Sequence, residues 1–415
     1  MRRRTAVAAF SLLGILGAIV ILGVIVSPPA DAISESWVSD TPRDNEFNHH
    51  AVGAGPDGAV IVAPVAEVPG PNVSMSDTSC ALVRLDPGTG ETLWRSGISP
   101  DDCASHALTE PTIEDVDGDG TVEVVVSTTE EAIIVYDGAD GSEEWRVSLP
   151  TYGYGRPTVA NVTAAPGPEV VTSDIGGNVL VANGDGTPEW RFPVETTTLN
   201  DTNVYAAPVV DDVDADGKQE ILIGSRSGAV LLAADGTVEW INEQPATYIT
   251  AADVDDDDPL EVFTAGSGSV RALDGNTSSE EWTRSLGYTR IREAADADDD
   301  GSIELYAGHS SGTVYALDAG SGDTEWSSSV SRSNGTIIPS PVLGDTDGNG
   351  DEEVVAVSND GGVRVLDPRS GAVLGVYERE VPIWTVSTLV DIDDDGSVEI
   401  LAHYGDGRVV ALDSS

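Results

Sequence analysis

The sequence predicts an all-β fold, an eight-bladed β-propeller of four-stranded antiparallel blades over residues 49–415, from three observations. An acidic motif, first seen as "DVDGDGTVEVVV" from Asp115, marks the start of successive units spaced 41 to 51 residues apart. A tryptophan occupies one repeat position in most units. The chain has 45 glycines and 5% aromatic residues, which favours short strands and many turns, and no helical pattern alternates with the strands. A period of this length with four strands per unit is typical of a propeller.

Each unit contains an acidic loop, a β-rich run, a turn, a second run, another turn and then the tryptophan. The aligned tryptophans are Trp94, Trp145, Trp190, Trp240, Trp282 and Trp326. Unit one (about 49–99) has only "GPDG" where the acidic loop belongs, and unit three (about 151–195) keeps Glu169 but loses two carboxylates. Unit seven has Gly375 at the tryptophan position, with Tyr377 two residues on. Strand alternation returns Tyr377 to the same face.

Unit eight supplies three strands, so its outer edge would be left open. Exposed, unpaired backbone groups at a sheet edge promote aggregation. We therefore predict that residues 34–40 pair with Arg408–Asp413 as the outermost strand of blade eight, with Trp37 in the place of the missing repeat tryptophan. The alternative is that residues 28–48, the linker before the propeller, form a disordered stalk.

The N-terminal sequence predicts export. Residues 1–5 form a basic cytoplasmic segment, and residues 6–27 are apolar and long enough to cross a bilayer. The preceding arginines favour a cytoplasmic N-terminus, and hence a single-pass anchor in the cell membrane with the propeller outside. A cleaved signal is the alternative, because Ala30-Asp31-Ala32 fits a cleavage site and cleavage after Ala32 would give a secreted protein. The length of the apolar run favours the anchor.

The charge of the chain limits its partners. The formal net charge at pH 7 is −52, from 72 acidic and 20 basic residues, and Lys218 is the single lysine. Such a protein repels polyanions, so we expect no nucleic-acid partner. This acidity resembles that of proteins from halophilic microbes. Cys80 and Cys103 can either form one disulfide outside the cell or remain buried thiols.

Six acidic loops have the ligand spacing of a calcium site. In Asp-x-Asp-x-Asp-Gly-x-x-Glu, the side chains at positions one, three, five and nine and the carbonyl at position seven provide the roughly six to eight oxygens that Ca²⁺ takes. The predicted ligands are Asp115, Asp117, Asp119 and Glu123; Asp212, Asp214, Asp216 and Glu220; Asp253, Asp255, Asp257 and Glu261; Asp296, Asp298, Asp300 and Glu304; Asp345, Asp347, Asn349 and Glu353; and Asp391, Asp393, Asp395 and Glu399. Loop five has Asp258 in place of the glycine.

The alternative is that these loops are solvated turns of a very acidic protein. The glutamate at position nine recurs in all six loops, however, and carboxylates this close repel one another unless a cation neutralises them. We therefore expect about six structural Ca²⁺ ions, each holding the hairpin between the first and second strands of a blade.

A ligand site is predicted where the central channel opens, in the segments that lead into the inner strands. Tyr154, Tyr205 and Trp384 share one aligned position, and the nearby candidates are Arg156, Tyr248, Tyr288, Arg290 and Arg292. Several arginines at one mouth favour an anionic sugar or peptide group. The alternative is ordinary packing of strand starts.

Two families resemble these repeats. The stretches "RLDPGTGETLW" (84–94), "VYDGADGSEEW" (135–145) and "ALDAGSGDTEW" (316–326) resemble pyrroloquinoline-quinone (PQQ)-type propeller repeats, in which the tryptophan packs between blades. The acidic loops resemble the FG-GAP repeats of integrin α-type propellers, which implies calcium binding. Together the two resemblances cover roughly residues 49–415.

The predicted function is a non-enzymatic binding or scaffold protein at the cell surface, with a surface protein or glycan as partner. The alternative is a PQQ-type dehydrogenase, but short blades leave little room for a cofactor chamber, so we do not expect PQQ. "GHSSG" (308–312) matches a hydrolase motif but aligns with hairpin turns, and a nucleophile elbow needs a strand-turn-helix context. His49, His50, His106, His309 and His403 show no metal-ligand spacing and are interpreted as surface residues.

Overall fold

The computed structural model describes residues 31–41, 48–67, 79–99, 101–103, 108–255, 259–266, 268–332 and 336–414. Within these ranges the strands form eight sheets, each of which is one blade. The predicted all-β, eight-bladed propeller with four-stranded antiparallel blades is confirmed. The described part of the chain contains no helix that is both long and apolar enough to span a membrane. The predicted segments 1–5 and 6–27 lie outside the described residues.

Two strands, β1 (Asp31–Ala32) and β2 (Ser34–Val38), precede the first blade. Blade one contains β3 (Gly53–Ala54), β4 (Ile61–Glu67), β5 (Ser79–Leu85) and β6 (Thr92–Ile98); blade two contains β7 (Thr112–Glu114), β8 (Glu123–Thr128), β9 (Ala132–Asp137) and β10 (Glu143–Ser148). Blade three contains β11 (Thr158–Ala160), β12 (Glu169–Ser173), β13 (Asn178–Asn183) and β14 (Pro188–Pro193), followed by a 3₁₀ turn (Val194–Thr196). Blade four contains β15 (Val209–Asp211), β16 (Glu220–Gly224), β17 (Ala229–Ala233) and β18 (Val238–Asn242).

The second half of the ring repeats this order. Blade five contains β19 (Tyr248–Ala252), β20 (Glu261–Ala265), β21 (Val270–Asp274) and β22 (Glu280–Arg284); blade six contains β23 (Thr289–Ala295), β24 (Glu304–His309), β25 (Thr313–Asp318) and β26 (Thr324–Ser329). Blade seven contains β27 (Val342–Gly344), β28 (Glu353–Val357), β29 (Gly362–Leu366) and β30 (Val373–Glu378); blade eight contains β31 (Thr388–Val390), β32 (Glu399–His403) and β33 (Val409–Asp413). The "GHSSG" stretch forms the hairpin between β24 and β25, as predicted.

The hydrophobic core is distributed around the ring, with one cluster at each interface between adjacent blades. The second strand of each blade contributes side chains to the clusters on both faces of that blade, because alternate side chains point to opposite faces. In β8, for example, Val124 and Val126 pack toward blade one, whereas Val125 packs toward blade three. Every blade is therefore buried on both faces and depends on its two neighbours.

The repeat tryptophans join each blade to the next. The indole Nε1 of Trp94, for example, donates to the carbonyl oxygen of Gly138 in blade two at 3.1 Å, and the other repeat tryptophans make the corresponding bond. The indole ring of Trp94 lies over Gly141, which has φ +73°, and a Cβ at Gly141 would come within 2.6 Å of that ring. Glycine therefore satisfies both the backbone conformation and the close contact at this turn.

The N-terminal segment closes the ring at blade eight. Strand β2 pairs antiparallel with β33, with Trp37 opposite Ala411, which completes a four-stranded sheet. The side chain of Trp37 is 7% exposed, and its Nε1 donates to the carbonyl oxygen of Pro87 in blade one at 2.7 Å. This is the same contact that the repeat tryptophans make.

The same segment also explains the missing tryptophan of blade seven. Strand β1 pairs parallel with β30, opposite Gly375 and Val376, as a fifth strand. The buried Ile33 packs over Gly375, where any Cβ would come within 2.9 Å of the Ile33 side chain. The Tyr377 hydroxyl donates to the Glu35 carboxylate at 2.6 Å. Residues 31–38 thus bind to two successive blades.

Cys80 in β5 and Cys103 in the segment before blade two form a disulfide, with 5.5 Å between their Cα atoms. The structure therefore has the first of the two arrangements that the sequence left open. The bond connects blade one to the chain that leads into blade two.

Candidate functional site

The acidic loops connect the first and second strands of six blades, and five of them share one backbone arrangement in the described residues. In loop two, the Asp115 carboxylate accepts hydrogen bonds from the backbone N–H groups of Gly118 at 2.7 Å and Gly120 at 3.0 Å. Gly120 has φ +90°, a conformation that glycine adopts without strain. The first aspartate of loops four, six, seven and eight accepts the corresponding bond. Backbone geometry therefore fixes the carboxylate at position one.

The loops bring carboxylates close together. In five of the clusters, oxygens from three residues lie within 4.8 Å of one another. These clusters are Asp115, Asp117 and Glu123; Asp212, Asp214 and Asp216; Asp253, Asp255 and Glu261; Asp296, Asp298 and Asp300; and Asp345, Asp347 and Glu353. Among the other predicted ligands, the Asp119 carboxylate accepts a hydrogen bond from the backbone N–H of Thr121. Asp257 lies outside the described residues, as does its neighbour Asp258.

The glutamate at position nine is buried in all six loops, with side chains at most 4% exposed. In loop two, Glu123 Oε2 accepts a hydrogen bond from the backbone N–H of Val116 at 2.7 Å, and four other loops repeat this bond. In loop six, Glu304 Oε1 has no hydrogen-bond partner among the described residues. A buried carboxylate oxygen without a donor is unfavourable unless a cation approaches it.

The degenerate loop of blade three provides an internal comparison. There Glu169 Oε2 accepts from the backbone N–H of Val162 at 2.8 Å, and Oε1 accepts from both the backbone N–H and the hydroxyl of Thr163. In contrast to Glu304, Glu169 therefore has protein donors for both carboxylate oxygens. This difference is the one expected if a cation approaches Glu304 from the side that Thr163 occupies beside Glu169.

The proton affinity of the buried glutamates predicts how the cation-free protein responds to pH. Burial raises the pKa of Glu123 and Glu220 to about 7 and that of Glu304 to about 8, from an ordinary 4.5, and also raises the pKa of Glu353 and Glu399. The folded state therefore binds protons more tightly than the unfolded state. In the presence of a chelator, we expect the free energy of unfolding to increase as the pH falls from about 8 to about 5.

Thermal melts in EDTA across this pH range measure the effect. The same melts with saturating Ca²⁺ serve as the control, because a bound cation keeps the carboxylates ionised and removes the gain. If the free energy of unfolding in EDTA instead decreases steadily as the pH falls over this range, this interpretation of the loops is contradicted.

The segments that lead into the inner strands surround a cavity of about 500 Å³ on the propeller axis. All eight blades contribute to its lining, which includes His49, His50, Glu110, Tyr154, Arg156, Tyr205, Tyr248, Arg290, Arg292, Pro339, Ser340 and Trp384. Seven of the eight side chains predicted for a ligand site thus converge here. The eighth, Tyr288, lies beside them, with its hydroxyl 3.2 Å from that of Tyr248. The acidic loops lie at the opposite ends of the inner strands.

Arg290 and two tyrosines form the outer part of the cavity. The Arg290 Nε donates to the Tyr248 hydroxyl at 2.8 Å, and the guanidinium lies 5.0 Å from the centroid of the Tyr288 ring. The Arg290 Nη1 also donates to the carbonyl oxygen of Ile338 at 3.4 Å, but no carboxylate of the described residues forms an ion pair with Arg290. Tyr288 and Trp384 are 39% and 43% exposed, which is unusual for large aromatic side chains. The mouth therefore presents one unneutralised cation beside exposed aromatic surface.

An ion pair crosses the channel below this mouth. Glu110, before the inner strand of blade two, binds Arg292 of blade six through two contacts, Nη2 to Oε1 at 2.9 Å and Nη1 to Oε2 at 3.3 Å. Blades two and six are four positions apart in a ring of eight, so the pair spans the axis. Burial raises the pKa of Glu110, but the charges of Arg292 and Arg156 outweigh it, and the pKa lies below 4.5. Glu110 thus stays ionised near neutral pH.

Sequence reasoning missed three residues of this site. No sequence motif points to Glu110, because its ion-pair partner Arg292 lies 182 residues away in the chain. The interpretation of the histidines as surface residues was wrong for His50 and His403, which are 8% and 1% exposed. His403 packs behind the cavity, where its Nδ1 lies 2.7 Å from the carbonyl oxygen of His50, and burial lowers its pKa to about 4. His49 and His50 line the cavity beside Tyr154; His106 lies outside the described residues.

Several solved structures share this fold. BamB from Moraxella catarrhalis is 15% identical, with a TM-score of 0.59 over 92% of this chain and 98% of that one. The quinohemoprotein alcohol dehydrogenase ADHIIG from Pseudomonas putida HK5 is 13% identical, with a TM-score of 0.63 over 92% of this chain and 76% of that one. The C-terminal WD40 domain of Sif2 is 13% identical, with a TM-score of 0.60 over 92% and 99% of the chains. At such identities the likeness concerns the fold alone.

No curated protein matches the chain in sequence. A family model does match it: the PQQ-like repeat model described as "Outer membrane protein assembly factor BamB" aligns with residues 79–256, 179–348 and 266–415. These matches together extend over most of the chain. The protein therefore belongs to this PQQ-like, BamB-type family of β-propeller repeats.

Proposed function

We propose that this protein is a non-enzymatic, calcium-stabilised propeller that binds an acidic oligosaccharide at the cell surface through the cavity on its axis. The observation that carries the proposal is Arg290, a cation without a carboxylate partner among the described residues, held between two tyrosines in a chain with net charge −52. An arginine that has no carboxylate partner in so acidic a protein is well suited to bind an anionic group of a ligand.

The size and surface of the cavity support a small ligand. A volume of about 500 Å³ is in the usual range for small-molecule sites. The exposed rings of Trp384 and Tyr288 offer apolar faces beside the charge. A long acidic polymer or an acidic protein surface would be repelled by the rest of the molecule, which favours a short acidic sugar over an acidic peptide chain.

The acidic loops support the calcium part of the proposal. Their FG-GAP-like spacing, their clustered carboxylates and the unpartnered Glu304 Oε1 all suit a hard cation with many oxygen ligands. About six ions would neutralise repulsion within the loops and hold the first hairpin of each blade. The role is structural, since the loops and the cavity lie at opposite ends of the inner strands.

Export and membrane attachment are further parts of the proposal. The Cys80–Cys103 disulfide suits an oxidising compartment outside the cytoplasm. Residues 6–27 would serve as the membrane anchor, and the acidic composition suits a halophilic environment. Because β1 and β2 lie on the outer strands of blades seven and eight, the anchor would reach the propeller at its rim and leave the channel mouth accessible.

Redox catalysis with a bound quinone is the alternative, because solved neighbours include quinohemoprotein dehydrogenases as well as BamB. Two aromatic pairs of the cavity do not suit a stacked planar cofactor. Tyr154 and Tyr205 meet at 85°, as do Tyr248 and Tyr288, so neither pair offers parallel faces to enclose a quinone. Dye-linked alcohol or sugar oxidation by protein supplied with PQQ and Ca²⁺ would establish the enzymatic alternative.

Binding of digalacturonate to the calcium-loaded protein at high salt tests the proposed site. We expect saturable binding by isothermal titration calorimetry and about tenfold or greater weakening in Arg290→Gln, because a charge-assisted hydrogen bond is lost. The dimethyl ester of the same sugar, which lacks the charges, should bind weakly to both proteins.

Arg226→Gln is the matched control, since Arg226 is an exposed arginine paired with Asp201 outside the cavity. Equal affinity of wild type and Arg290→Gln for digalacturonate would exclude the site. Stronger binding of a matched acidic peptide than of the sugar would assign the site to peptides instead.

A further inference from the structure

The arginines of the cavity outnumber the carboxylates that they bind. Arg156, Arg290 and Arg292 all line it; Glu110 pairs with both Arg156 and Arg292, and Glu293 pairs with Arg292 at 3.9 Å. Glu110 binds Arg292 with both oxygens but contacts Arg156 at only 3.5 Å. Arg156 is instead positioned by its Nε, which donates to the Thr112 hydroxyl at 3.0 Å. Two guanidinium groups, those of Arg156 and Arg290, therefore lack a carboxylate bound through two oxygens.

From this pairing pattern we infer that the ligand carries two carboxylates, one bound by Arg290 at the mouth and the other by Arg156 deeper in the cavity. The inference rests on the proposed function and names the ligand class for the same site. Two acid groups held by two separate arginines suit an oligosaccharide with acid groups on different sugar units. A guanidinium recognises such a planar group through paired hydrogen bonds.

Glu110 is the carboxylate that competes with the ligand for Arg156, at a contact distance of 3.5 Å. By holding Arg292 across the axis through two shorter contacts, Glu110 closes the channel below the ligand and leaves Arg156 only partly neutralised. Arg156 also borders a second cavity of about 440 Å³ beyond Glu110, between the inner strands of blades one and eight. The Glu110–Arg292 ion pair thus separates two compartments. The compartment at the mouth contains the cationic side chains that would bind a diacid.

The same two arginines give selectivity for two acid groups. Once Arg290 has bound the first carboxylate, the second is held near Arg156 at a high effective concentration. A ligand with one acid group gains only the first contact. Digalacturonate should therefore bind about tenfold or more tightly than the disaccharide of galactose and galacturonate, which has similar size and one acid group.

Calorimetry with these two disaccharides on the calcium-loaded full chain tests the inference. In Arg156→Gln, we expect the preference for the diacid to disappear, because the second carboxylate loses its partner. In Glu110→Gln, diacid affinity should increase about tenfold, because a competing carboxylate is removed. Glu114→Gln, which removes a carboxylate that lines the same cavity without forming an ion pair in the described chain, should have a much smaller effect.

The outcomes separate the two levels of the proposal. A diacid preference that survives Arg156→Gln would overturn the two-carboxylate inference and leave the binding function intact. Absence of an Arg290→Gln effect on either disaccharide would overturn the binding function itself. Should Arg156→Gln fail to fold, Arg156→Lys keeps the charge but loses the paired hydrogen bonds, and an unchanged diacid preference in that variant would count against the inference.

Discussion

Removal of calcium is expected to destabilise the protein more than any single substitution. With ion affinities of about 10⁻⁴–10⁻³ M and 10 mM Ca²⁺, each site contributes about 1.4–2.7 kcal/mol to the free energy of unfolding, or roughly 8–16 kcal/mol for six sites. We therefore expect EDTA at constant ionic strength to lower the melting temperature strongly, as measured by calorimetry or circular dichroism. Mg²⁺ should restore little of the loss, because it demands a tighter octahedral site.

Single-site variants test the same mechanism loop by loop. Asp119→Ala, Asp300→Ala and Glu304→Gln should each remove one bound ion, counted by equilibrium dialysis, and leave the others. Glu169→Gln is the matched control, because Glu169 sits at the same repeat position in the loop whose carboxylate is already satisfied by Thr163. An unchanged melting curve on chelation, or loss of an ion in Glu169→Gln, would contradict calcium binding by these loops.

Replacement of Trp37 by alanine is expected to cost about 3–5 kcal/mol of unfolding free energy, as is usual for a large buried aromatic side chain. The loss has two sources. Trp37 packs into the core between blades eight and one, and its indole N–H donates to the carbonyl oxygen of Pro87. Chemical denaturation with Ca²⁺ present measures the effect.

Trp384→Ala is the matched control, because Trp384 is 43% exposed at the channel mouth, and we expect a change below about 1 kcal/mol. Hydrogen exchange gives an independent measure: the amides of β2 that bond to β33 should exchange slowly. Fast exchange throughout Ser34–Val38, or equal stability of the two tryptophan variants, would show that the N-terminal strand does not close the ring.

The repeat architecture could be predicted because each unit encodes it locally. The tryptophans, the turn glycines and the acidic loops are short-range patterns, and one aligned position, shared by Tyr154, Tyr205 and Trp384, was enough to place side chains at a common mouth. Trp37 was informative for the same reason, since it repeats a position that blade eight otherwise lacks.

Contacts between distant parts of the chain could not be predicted in this way. Glu110 and Arg292 meet only because the ring places blades two and six opposite each other, and neither residue lies in a motif. The contact of Ile33 with Gly375 depends on a parallel strand that no repeat contains. The fourth strand of each blade also carries a register shift, as between Glu143 and Trp145, and such bulges leave no periodic signal in the sequence.

A crystal structure of the calcium-loaded protein with digalacturonate shows directly whether the cavity on the axis binds an acidic sugar. We expect one carboxylate within about 3 Å of the Arg290 guanidinium, between Tyr248 and Tyr288, and the second against Arg156. A sugar bound at saturating concentration outside this cavity, with Arg290 still bonded to Tyr248 and to the carbonyl oxygen of Ile338, would show that the cavity is not the sugar site.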